Sequence, residues 1–537
     1  VELSDSSKRL IGQFVVAKNA GLPEQGVPMI HVDEVASRVA AFYERIRTVV
    51  EWKEEHLMRR AAIIRKLKRR FLEINASDVG QINNAAEGLV KELIRGGHFE
   101  NDKIPESKIF QISAIIAKYA TLRRNPDNTS RKTGLQFQNW LIEVAACEIE
   151  DLLSPAIKEK ALIEYMFWTM KERVKIQDRI YEENLIRHGD EDIQLYIAVC
   201  QALFKLDLPI ISYNLLQYRY ANWRQASTEL IESVSGNIFA IWKEIMADME
   251  NPISHKFYAV CERFDTPYLL LGDILSNNNP DQMQLLQDPS LFEDAVKSAY
   301  KKRLAALDGK ISRAAIYLTL SIFLTKILLL IILEWIIGIV TGAKLQPAII
   351  ALDILIPTVL MFLLVASVKK PSKKNLNLVV METIKVFYVK EQPDIYEIKL
   401  ASKKNLAMRV FLSLMYVVSA FVTLGIIYYI LHWFGFPITS IIIDILFISL
   451  ILFAGTAIGK RAQELTMEPE KEGFLSFIAD IFVLPMQGIG NWISSTWRQY
   501  NAVAAFFNAL IDMPFTAFVE LLEGWRLFVQ ERKEEIR

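Results

Sequence analysis

The amino-acid sequence predicts an all-α membrane protein, with an N-terminal soluble helical domain, a four-helix transmembrane region and C-terminal amphipathic helices. Three observations predict it. Apolar residues recur at helical spacing through residues 31–312, four long apolar runs follow, and strand-like alternation is scarce throughout. Over 537 residues the apolar share is 52%, and nearly all uninterrupted apolar sequence lies after residue 313.

The elements follow in chain order. Residues 1–30 read as an irregular arm, because Gly21, Pro23, Gly26 and Pro28 break helices. No charged n-region followed by an apolar h-region opens the chain, so a cleaved signal peptide is not expected. Residues 31–312 read as a soluble all-helical domain. Its first helix starts near Asp33 and keeps helical spacing through Val35, Val39, Phe42, Ile46, Leu57, Ile64, Leu67 and Phe71. Further helices are expected at about 84–96, 107–122, 134–151, 155–186, 191–206, 222–249, 251–263 and 290–309, separated by Asn-Pro, Ser-Pro and His-Gly-Asp breaks.

Residues 313–458 read as the transmembrane region. The runs 314–340, 347–368, 410–434 and 437–458 each reach the roughly twenty residues that cross a hydrocarbon core. They form two hairpins, turning at 341–346 and at Gly435-Phe436, joined by a polar loop at 369–409 in which either a small β-hairpin or a short helix is expected. That loop carries ten Lys or Arg, whereas the two hairpin turns carry only Lys344. The positive-inside rule therefore predicts a cytoplasmic N-terminus, loop and C-terminus. Residues 459–537 read as interfacial amphipathic helices lying along the cytoplasmic face or packed under the bundle; the alternative is a pair of broken spans, which also returns the C-terminus to the cytoplasm. Gly473–Ile493 and Ala502–Leu522 are apolar, but each carries an acid followed by proline, Asp480 with Pro485 and Asp512 with Pro514.

The stretch HVDEVASRVAAFYERIRTVVEWKEEHLMRRAAIIRKLKRRF at 31–71 and the tail MPFTAFVELLEGWRLFVQERKEEI at 513–536 resemble the opening and the end of one family, the uncharacterised multi-pass membrane proteins of the candidate-phyla (ultrasmall) bacteria. The order of helical region and then membrane region fits it too. The resemblance implies a bacterial inner-membrane setting and brings no activity or functional residue with it.

Lys plus Arg equals Asp plus Glu at 62 each, so no global field points to nucleic acid. Cys147, Cys200 and Cys261 have no metal spacing and are expected to be buried, reduced helical residues. Glu54, Glu55 and His56 lack the Glu-x-x-His spacing of a di-iron bundle, and His188-Gly189-Asp190-Glu191-Asp192 lacks that of a calcium loop. There is no G-x-S-x-G, P-loop or G-x-G-x-x-G motif. No catalytic residue, metal or cofactor is expected, and the chain does not read as an enzyme.

Two groups of residues remain as candidates. The basic end of the first long helix, Arg59, Arg60, Arg65, Lys66, Lys68, Arg69 and Arg70, reads either as an anionic-lipid surface or as a face paired with acids of neighbouring helices. No aromatic platform interleaves with it for nucleic acid. The second group is Lys326, Glu334, Asp353 and Asp444, ionisable residues inside the apolar runs, where charge is costly. Counted from the hairpin turns at 1.5 Å per residue, the three acids lie about 12–15 Å below one membrane face and Lys326 about 12 Å deeper. They read either as an acidic layer handling a cation or proton, or as groups that pair and lock the bundle. The expected function is a membrane-anchored scaffold or assembly protein, contacting the lipid bilayer and a protein partner or a second copy of itself. The alternative is a cation or proton transport component.

Overall fold

The computed structural model describes residues 3–20, 26–32, 55–71, 78–123, 130–277, 282–329, 347–368, 371–388, 394–400, 406–468, 474–500 and 525. Among these, 19 helices and one two-stranded sheet carry the fold. Contacts divide the chain into two units, one holding Asp5–Glu262 with Gln392–Ile398, the other Arg263–Glu391 with Lys399–Ala505. The division at Arg263 falls earlier than the change of composition near 313.

The first unit begins with α1 (Asp5–Ala20). The irregular arm expected there is corrected: Leu10 and Phe14, one helical turn apart, are buried, and the Gly and Pro residues fall only after the helix ends. Next come α2 (Glu55–Phe71), α3 (Val79–Arg95), α4 (Ser107–Leu122), α5 (Arg131–Leu153) and α6 (Ile157–Arg173). The start expected for the first long helix, near Asp33, lies outside the described residues. Helix α5 is the centre of this unit, with α2, α4 and α9 packed around it; Phe137, Leu141, Val144 and Ile149 on it are fully buried. Ser130 caps its N-terminus by accepting from the Thr133 N–H.

The helix expected over 155–186 is interrupted. Strand β1 (Val174–Ile176) leaves it and pairs in parallel with β2 (Tyr396–Ile398), Val174 opposite Tyr396. After β1 come α7 (Asp178–Glu182), α8 (Glu191–Phe204), α9 (Leu208–Arg219), α10 (Thr228–Met249) and α11 (Ser254–Arg263).

The second unit opens with α12 (Asp265–Ser276) and α13 (Gln282–Gln287). Helix α14 (Pro289–Leu329) then runs 41 residues without a break, about 60 Å, fusing a helix expected to end near 309 with the start of the first apolar run. It is followed by α15 (Pro347–Ala366), α16 (Lys373–Phe387), α17 (Leu406–Trp433), α18 (Ile438–Ala462) and α19 (Phe474–Tyr500). Among the described residues, four helices are long and apolar enough to cross a membrane: α14, α15, α17 and α18. Loop 369–409 contains helix α16 and strand β2, with no hairpin among its described residues.

The second hairpin turn is a Schellman motif. Phe436 N–H donates to the Leu431 carbonyl and Gly435 N–H to that of His432, at 3.2 and 2.9 Å. Gly435 sits at φ +84°, where a side chain is strained. Leu431 and Phe436 then bury against Ile441. At the other end of these helices, the buried Asn375 amide donates to Tyr300 Oη and the Leu465 carbonyl and accepts from the Met467 N–H, joining α14, α16 and the segment after α18.

Helix α19 covers most of the Gly473–Ile493 stretch read as an interfacial helix and is not among the four candidate spans. It is continuous through Pro485 and packs along α18 and α17. A Cβ at Gly490 would run into the Ser449 carbonyl oxygen and stand 2.8 Å from Phe453 Cβ, both near the middle of α18. The Thr423 hydroxyl, mid-way along α17, reaches the Phe482 carbonyl at 3.1 Å. Glycine permits this approach because it leaves two backbones with no side chain between them.

Candidate functional site

Three of the four intramembrane ionisable residues converge. Lys326 on α14 donates from Nζ to Asp444 Oδ1 on α18 at 2.8 Å, and Asp353 Oδ1 on α15 stands 3.0 Å from the same nitrogen. The Lys326, Asp444 and Asp353 side chains are 0%, 0% and 2% exposed. The Phe447 ring covers the ammonium group at 5.4 Å, an added cation–π attraction. The depth count set Lys326 below the acids, but its long flexible stem carries the charge to their level. Glu334 lies outside the described residues.

The charge count at this site does not close. One ammonium faces two carboxyl groups. Asp353 Oδ2 and Asp444 Oδ2 are buried with no hydrogen-bond partner among the described residues. If both acids ionise, one negative charge is left over in a region that solvates it poorly. A proton or a small cation would cancel it. Pro357 lies four residues after Asp353 inside α15, so the Asp353 carbonyl lacks its helical N–H donor, and the backbone is loosened where the charges meet.

Three residues of the basic face at the end of α2, Arg59, Arg60 and Lys66, make protein contacts. Arg60 is 5% exposed and donates to Asp207, which also caps α9 through the Ile210 N–H. Arg59 Nε lies 3.5 Å from Glu150 on α5, and Lys66 pairs with Glu92 on α3 at 2.9 Å. Arg65 is half-buried and Lys68 exposed, while the side chains of Arg69 and Arg70 are outside the described set. Arg59 and Glu150 also line a cavity of about 350 Å³, with Cys147, Asp151, Lys160 and Tyr213. Burial pushes the Glu150 carboxyl up to about 7, against the opposing pull of Arg59 and Arg60. Burial likewise pushes the Cys147 thiol up and the Cys200 thiol up to about 12. All three cysteines are buried and in the thiol form, outside any disulfide among the described residues.

A second buried network was not legible in the sequence. Lys118 Nζ on α4 donates to Glu148 Oε1 at 2.5 Å and to the Trp223 carbonyl at 2.9 Å. Tyr119 Oη donates to Glu148 Oε2 at 2.8 Å, and Trp223 Nε1 reaches Tyr119 Oη at 3.3 Å. Residues 118 and 148 lie on different helices, so no local spacing announces the pair. The only signal is a Lys among Ile115, Ile116 and Tyr119 on an otherwise apolar face.

No protein-family model, curated protein or solved structure matches this chain.

Proposed function

We propose that this chain is a membrane-anchored helical scaffold, with a cytoplasmic helical unit that engages a protein partner and a helical bundle that holds it in a bacterial inner membrane. The observation that carries the reading is the closure of Lys326 on Asp353 and Asp444. The charges join three of the four candidate spans and are sealed from solvent, as the lock of a rigid anchor requires. The basic flanks around the spans support cytoplasmic placement of the first unit and of the 369–409 loop.

A second reading, a cation or proton transport component, is favoured by one observation, the two buried carboxylate oxygens without partners. The neutral set Lys326→Met, Asp353→Asn and Asp444→Asn separates the two. A lock tolerates joint neutralisation, because apolar replacements of a buried ionic group are often neutral or stabilising. Lys326→Met alone strands two buried acids and is expected to cost about 3–5 kcal/mol of stability. Under the scaffold reading, the triple variant assembles and still co-purifies the wild-type partner from native membranes. Ion or proton flux in wild-type liposomes that the triple variant loses would replace the scaffold reading with transport.

A further inference from the structure

An ionised carboxyl group only accepts hydrogen bonds, whereas a protonated one can also donate. Two ionised carboxylates therefore cannot bond to each other. Asp353 and Asp444 lie within hydrogen-bonding reach of one another, and both stand against the single ammonium group of Lys326. Yet Oδ2 of each meets no donor among the described residues, and both side chains are sealed from bulk water.

Among the described side chains, no other charge answers the surplus. Asp353 is the one ionisable residue of α15. The next charged residues on α14 and α18, Arg313 and Lys460, stand about 20 Å or more along their helices from Lys326 and Asp444. His432 on α17 is exposed. Asp480 on α19 is a further acid and would only add to the surplus.

We propose that Asp353 and Asp444 hold one proton between them, so that the triad consists of one ammonium, one carboxylate and one carboxylic acid. The proton cancels the surplus charge and turns two orphaned acceptors into an acid-to-carboxylate hydrogen bond. Two carboxyl groups that share a site retain a proton for this reason, since ionising both sets like charges side by side. A metal cation fits this geometry less well. It would sit beside the ammonium group and be repelled by it. The Phe447 ring already covers that group, and among the described residues no third His, Cys, Asp or Glu converges there. The proposal rests on the reading of this triad as a closed lock and names the ligand that closes it.

The test uses full-length protein in lipid nanodiscs at neutral pH, read by infrared difference spectroscopy, wild type minus variant, in water and in D2O. Wild type should show the band of one protonated carboxyl group per chain, moved to lower frequency by deuterium. Asp353→Asn and Asp444→Asn should each lose the whole band, because each leaves one acid for one ammonium. Lys326→Met should roughly double it, since both acids then take a proton. Glu148 and Glu150, which burial also favours in the protonated form, contribute to every spectrum and cancel. A band that survives either asparagine variant overturns the proposal, because the proton is then not shared. A wild type without the band overturns it as well. So does a band that sodium chloride removes and choline chloride does not, which assigns the surplus charge to a sodium ion. Should one variant fail to assemble, the other two decide. Partner capture and ion flux test the scaffold reading and do not enter this measurement, so either idea can fail alone.

Discussion

Lys118 and Lys326 are both buried ammonium groups, and their surroundings differ in one charge. Lys118 meets one carboxylate and one carbonyl, with the second Glu148 oxygen taken by Tyr119. Burial lowers Lys118 and raises Glu148, and each partner opposes the shift of the other. Lys326 meets two carboxyl groups and leaves oxygens over. Glu150 is a third case, an acid whose burial outweighs its arginine neighbours and brings it up to about 7. Since the folded value lies above the unfolded one near 4.3, the folded form holds the extra proton between them. Its stabilisation is complete below about pH 4 and is lost as pH rises through about 7. Hydrogen exchange of α5 amides, compared between pH 5 and pH 8, should therefore show α5 less protected at pH 8, with roughly 1–3 kcal/mol of that difference due to Glu150. Glu150→Gln should remove that part. An unchanged pH dependence in the variant would place the ionisation elsewhere.

At the scale of single elements, the glycines of α19 invite a contrast. Gly490 faces the backbone of α18, whereas a Cβ at Gly488 would meet only the far end of Tyr416, at 2.6 Å from its hydroxyl. Gly490→Ala should cost about 1–3 kcal/mol as an overpacked contact, read as a lower melting temperature in detergent. Gly488→Ala should stay near wild type, because a tyrosine hydroxyl can swing aside. Equal melting of Gly490→Ala and wild type would mean that α19 does not lie against α18. The sequence made the four apolar runs legible because twenty uninterrupted apolar residues have few other uses. Helices α9 and α12 are not among the expected ones; Pro209 and Pro267 each sit in the first helical turn, where no N–H donor is lost. The packing of α19 is hidden as well, because Pro485 reads as a break; it removes the helical donor of the Ile481 carbonyl, and the Thr423 hydroxyl bonds the neighbouring Phe482 carbonyl. For the candidate site, the residue types were legible from their cost in an apolar run, but their meeting point depends on helix register, which no single run contains.

At the scale of the whole molecule, basic residues fix the expected orientation. A cysteine placed at Lys344, in the turn expected from the sequence at 341–346, should react with an impermeant thiol reagent in intact cells, and a cysteine in the 369–409 loop should not. Labelling of the loop with protection at 344 would invert the topology.

The pairing of Val174 with Tyr396 has a consequence for synthesis. The two strands are separated in the chain by the first two candidate spans. At a ribosomal rate of roughly 5–20 residues per second, β1 waits on the order of ten to forty seconds for its partner. During that interval it is an unpaired edge on a nascent chain, open to neighbouring polypeptides. It is only three residues long, and its middle residue, the exposed Lys175, places a charge where a foreign strand would dock. The ribosome therefore delivers the second strand of this sheet only after the first two candidate spans have been made, so the order of translation places completion of the first unit after synthesis of those spans.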